Sequence, residues 1–167
     1  TITDANNCAV TLSRTITDGA GPFALSVLAA PVEGGTVTGA GTYNAGAAAT
    51  LTAVPAAGYV FGGWSGDAVS AANPAIVTMN TSKVITATFV PITYTLTATA
   101  SPTEGGTVSG AGTYNAGTTA SLTATPATGF IFAGWSGGAT GTSNPVAVSM
   151  TADRTVTASF VPVTYTL

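Results

Sequence analysis

Few side chains in this chain could do chemistry, and their spacing limits what that chemistry is. Glu33 and Glu104 lie 71 positions apart, and each precedes a Gly-Gly pair. A glycosidase sets two carboxylates against one substrate, whereas each of these segments offers one. The plainer role is a turn carboxylate that accepts backbone N–H groups. Asp67, in Ser-Gly-Asp, could contribute to a calcium site, but the matching position is Gly138 and no alternating acids surround it. Asp153 is likewise matched by Ser82. Lys83 could give an isopeptide cross-link with an Asn, a reaction closed to Arg154 at the matching position. Cys8 is the only thiol. It is either a small apolar residue or a link to another chain. Trp64 and Trp135 each sit in Gly-Trp-Ser-Gly. An indole face can stack on a sugar ring or fill a core. Asn80-Thr81-Ser82 is a glycosylation sequon without a counterpart, since Thr151 stands where Asn80 would recur.

The composition excludes several function classes. Nine charges in 167 residues, net −3, leave no basic stripe for nucleic acid. The absence of histidine removes His-based acid–base catalysis and His-containing metal sites. One cysteine allows no intrachain disulfide and no thiolate zinc site. The sequence therefore predicts no cofactor, no metal and no catalytic residue. No apolar run reaches the length of a membrane-spanning helix, so membrane insertion is not expected. The first ten residues lack a signal-peptide pattern, so the chain reads as a mature product or a fragment.

The elements that must hold these residues come in two copies. Residues 23–93 and 94–164 align without a gap, with 39 of 71 positions identical. The matched stretches include Glu-Gly-Gly-Thr-Val, Gly-Ala-Gly-Thr-Tyr-Asn-Ala-Gly, Gly-Trp-Ser-Gly, Asn-Pro and Phe-Val-Pro. Tyr165-Thr166-Leu167 repeats the opening Tyr94-Thr95-Leu96, as if a further unit or strand began there. Residues 1–22 stand apart. They read either as a remnant of a preceding unit or as a strand that pairs with a neighbouring chain.

Period-two alternation dominates both copies. Leu96, Ala98 and Ala100 alternate with Thr95, Thr97 and Thr99, and Val156, Ala158 and Phe160 with Thr155, Thr157 and Ser159. This is the pattern of half-buried strands. Thr fits it because its branched Cβ suits the pleat. With 33 Thr, the outward rows could carry O-linked sugars, meet a flat ligand or form a soluble face. Gly-, Asn- and Pro-rich turns separate the runs. The expectation is an all-β chain of small β-grasp-like or β-sandwich-like units of about 71 residues, each with four or five strands. The expected core is Tyr43, Phe61, Trp64 and Phe89 in the first unit, and Tyr114, Phe132, Trp135 and Phe160 in the second. Pro91 and Pro162 read as short stiff linkers that hold successive units in line.

The ordered motifs, from Tyr-Thr-Leu-Thr through Glu-Gly-Gly-Thr-Val and Gly-Trp-Ser-Gly to the closing Thr-Ala-Ser-Phe-Val, resemble the divergent form of the internalin-type B-repeat. That resemblance implies a β-grasp-like sheet, a place on prokaryotic secreted or cell-surface proteins, and a non-catalytic role as stalk or spacer, sometimes with adhesion. The better-known members cover the sheet with a short helix, and no stretch here has helical periodicity. The expected function is thus a structural repeat, either an extracellular stalk or a filament building block. In the second form, residues 1–22 or Tyr165–Leu167 add a strand to the next copy. Partners would be copies of the chain or neighbouring repeats of the same polypeptide. The alternative is a carbohydrate-binding adhesin in which Trp64 and Trp135 meet surface glycans.

Overall fold

The computed structural model describes residues 2–3, 9–10 and 21–164. Two short strands, β1 (Ile2–Thr3) and β2 (Ala9–Val10), pair antiparallel with each other. The rest of residues 1–20, including Cys8, and Tyr165–Leu167 lie outside the described residues.

Each repeat folds into seven strands in two sheets. The first comprises β3 (Phe23–Ala30), β4 (Gly35–Thr38), β5 (Gly41–Tyr43), β6 (Ala48–Pro55), β7 (Tyr59–Gly66), β8 (Ala75–Thr78) and β9 (Lys83–Pro91). The second comprises β10 (Thr93–Ser101), β11 (Gly106–Ser109), β12 (Gly112–Asn115), β13 (Thr119–Pro126), β14 (Phe130–Gly137), β15 (Val146–Ser149) and β16 (Arg154–Pro162). In each unit a four-stranded mixed sheet, ordered β5-β3-β9-β7 or β12-β10-β16-β14, accompanies a three-stranded antiparallel sheet, β4-β6-β8 or β11-β13-β15. The first and last strands of each unit are parallel neighbours. Leu25 to Ala30 lie opposite Lys83 to Thr88, and Leu96 to Ser101 opposite Arg154 to Ser159.

The expected alternation produces these strands. Inward residues of both sheets meet in one core per unit. In the second unit Leu96, Leu122, Trp135, Val148, Met150, Val156 and Phe160 are buried together. The sandwich-like, all-β character matches the expectation, and among the described residues no α-helix covers a sheet. There are seven strands per unit where four or five were expected. The additional ones, such as β11 and β12, are four residues long and separated by a two-residue turn. Each opens on a glycine and borders Gly110-Ala111, so the stretch reads as turn chemistry.

Phe160 explains the Glu-Gly-Gly motif. A Cβ on Gly105 would stand 2.6 Å from the Phe160 Cβ. One on Gly106 would stand 2.5 Å from the Thr125 carbonyl oxygen and 2.6 Å from the ring. The two glycines form a bare backbone seat for the aromatic ring. Phe89 sits in the same way on Gly34 and Gly35.

Candidate functional site

The tryptophans are positioned by a β-bulge. In β14 the register against β16 runs Phe132↔Phe160 and then Gly134↔Ser159, which leaves Ala133 as the extra residue. Strict alternation would put Trp135, three residues after Phe132, on the opposite face. The bulge turns it inward. Trp135 is 5% exposed and Trp64, behind the equivalent bulge at Gly62, is 2% exposed. The Trp135 ring lies 5.0 Å from Phe132, and its Nε1–H donates to the Ser143 carbonyl at 2.8 Å. Trp64 repeats this with Phe61 at 5.3 Å and the Ala72 carbonyl at 3.0 Å. Indoles buried in this way offer no open face to a pyranose, so the sugar-platform reading of Trp64 and Trp135 is corrected. Phe89 and Phe160 are buried in the same cores, while Tyr43, Phe61, Tyr114 and Phe132 are half-buried against them.

The four carboxylates among the described residues are scattered, and three of them hold backbone or local geometry. Asp67 Oδ2 accepts the Val84 N–H at 2.7 Å. Asp153 Oδ1 accepts the Thr95 N–H at 2.7 Å, the place where Ser82 Oγ accepts the Ala24 N–H at 3.1 Å in the first unit. Glu104 accepts the Thr103 hydroxyl at 3.4 Å, and Glu33 stands exposed on its own turn. Among the described residues no three His, Cys, Asp or Glu side chains converge and no pocket forms.

One side chain whose role escaped sequence reasoning finishes a sheet. β13 pairs with β15 only from Thr119 to Leu122. Beyond that point the Asn144 amide takes over. Its Oδ1 accepts the Ala124 N–H at 2.9 Å and its Nδ2 donates to the Ala124 carbonyl at 2.7 Å. Asn73 does the same for Ala53. The Asn-Pro match in the repeat was the available signal, but it read as turn chemistry.

A single residue, Ile92, connects the terminal strands of the two units. β9 ends at Pro91 and β10 begins at Thr93. Between them the Ile92 N–H donates to the Gly58 carbonyl, and the Ile92 carbonyl accepts the Ala116 N–H, both at 2.8 Å. One bond ties the residue to a turn of the first unit and the other to a turn of the second. A Cβ on Gly58 would stand 3.5 Å from the Ala116 carbonyl oxygen, so the two turns are close neighbours. Val163 makes the first of these bonds again, to Gly129 at 2.8 Å. The half of the joint that each unit supplies at its end therefore recurs with the repeat.

The described geometry agrees with a match found for the sequence itself. A family model, the divergent InlB B-repeat domain, matches residues 25–93 and again 94–164. The chain belongs to that family. No curated protein and no solved structure matches the chain. B-repeats of this kind come from bacterial surface proteins and are typically non-catalytic. Among the described residues no helix is long and apolar enough to cross a membrane.

Proposed function

We propose that this chain is a stalk segment of an extracellular protein, with B-repeats acting as spacers set in line. The observation that carries this reading is the Ile92 joint. A flexible tether would leave its backbone groups to water, whereas Ile92 spends its N–H on one unit and its carbonyl on the other. With one residue between β9 and β10, there is little slack for the units to reorient. Small-angle X-ray scattering tests the reading. The native chain should scatter as one extended body of fixed maximum dimension. Inserting Gly-Ser-Gly-Ser after Ile92 should broaden the distance distribution as a flexible linker does. Identical curves for the two proteins would remove the basis for a rigid spacer.

A second reading is a filament subunit that joins copies by strand addition. The observation favouring it is that the edge strands β12 and β14 carry no charged residue. Edge lysines are a common barrier to such pairing. Negative-stain electron microscopy separates the two readings. Regular fibres that vanish on removal of residues 1–22 support the subunit, and dispersed rods support the stalk.

A further inference from the structure

We propose that each B-repeat is a tension-resisting element, built so that a pull on the ends of the array shears its two terminal strands past each other. The proposal rests on the spacer reading only in taking the chain ends as the points of load. Its geometry lies within each unit. The chain enters the second unit at the start of β10 and leaves it at the end of β16. These strands are hydrogen-bonded neighbours and run parallel, with six residue pairs in register from Leu96↔Arg154 to Ser101↔Ser159. The two points of load therefore sit at opposite ends of one ladder. Tension drags β10 back and β16 forward along the strand axis, and every bond of the ladder is strained together. An antiparallel terminal pair would be loaded from one end and would open bond by bond.

Three features strengthen this ladder. Both strands are interior, with β12 outside β10 and β14 outside β16, so neither can move without breaking a second pairing. Their inward side chains Leu96, Val156, Ala158 and Phe160 are buried and would have to slide through the core. Side chains also tie the pair across. Asp153 accepts the Thr95 N–H at 2.7 Å, and the Thr99 and Thr157 hydroxyls meet at 3.1 Å. The first unit repeats the arrangement with β3 and β9, six pairs in parallel register. The Ile92 backbone passes the load directly from β9 to β10.

The test is single-molecule pulling in two geometries. Held at its two ends, the native chain should extend in two abrupt steps. Each should release about 220 Å, the contour of one unit at about 3.6 Å per residue less its folded span. In the second geometry the handles sit on T93C and A152C, in a C8S background. Those positions lie at the same end of the β10–β16 ladder, so the pull peels the strands apart. The peak force at equal loading rate should fall at least twofold. Equal forces in the two geometries would overturn the proposal. So would smooth extension of the native chain without discrete steps, a result that needs no variant to fold. Either failure would leave the scattering test of the joint untouched, so the two ideas fail separately.

Discussion

Replacing Asn144 by Ala asks how much one side-chain amide contributes when it stands in for a strand. The substitution removes two hydrogen bonds, at 2.9 and 2.7 Å, from the backbone of Ala124. Ala124 is 3% exposed, so water reaches these groups poorly. A buried polar group left without its partner costs about 1–3 kcal/mol. Two such groups, with water entering part of the vacated space, give a loss of roughly 2–4 kcal/mol. A unit of this size has a total stability of roughly 4–11 kcal/mol at typical per-residue values. The loss is therefore a large fraction of what holds the second unit folded. Each unit carries one buried tryptophan, so urea unfolding followed by indole fluorescence reports on both. In N144A the part of the signal due to Trp135 should move to lower denaturant with little change in slope. The part due to Trp64 should stay in place if the units unfold independently, and move with it if the Ile92 joint couples them. A loss below about 0.5 kcal/mol, the range of an ordinary surface substitution, would refute the strand-completion argument.

Further expectations follow from the same geometry. N144D keeps the acceptor but sets a carboxylate oxygen against the Ala124 carbonyl. It should be less stable than N144A at neutral pH and regain stability as acidification protonates the acid into a donor, which is read from melting temperature against pH. W135A should cost about 3–5 kcal/mol and bring the second unit close to unfolding at room temperature, as seen by near-UV circular dichroism. G106A should cost about 1–3 kcal/mol, because the new methyl group collides with a carbonyl and the Phe160 ring. G117A meets nothing within 4 Å, so only its positive φ of 80° opposes it, and its cost should be about 1 kcal/mol. Leu28 and Val84 are 52% and 51% exposed on the outer sheet face where the second unit has Thr99 and Thr155. The double substitution L28T/V84T should leave the melting temperature nearly unchanged while lowering binding of an apolar dye.

The repeat, its longer strands and most of its core were legible because they rest on pattern. Exact spacing gave the two units, and alternation gave β10 and β16. What stayed hidden depended on departures from pattern. The Phe132–Trp135 spacing of three reads as opposite faces until the bulge at Ala133 is known, so alternation alone did not decide between the expected core placement of the indoles and the alternative platform. The role of Asn144 depends on a contact 20 residues away in sequence, which no local rule supplies. The paired glycines read as a turn, although a ring brought in from β16 is what forbids their side chains. Parallel pairing of the first and last strands was also out of reach, because a period of two says which residues face inward and nothing about which strand lies beside which.

The single-residue joint bears on how such a protein changes length. Each copy brings its own half of the connection: the Gly58 carbonyl for Ile92 recurs as the Gly129 carbonyl for Val163. Duplicating the 71-residue block thus duplicates the attachment point along with the body, and no separate linker has to be invented. Reach would then be counted in whole blocks, like a ruler with one graduation, and the gain or loss of a copy would shift the distal end by a set increment while leaving every remaining unit undisturbed.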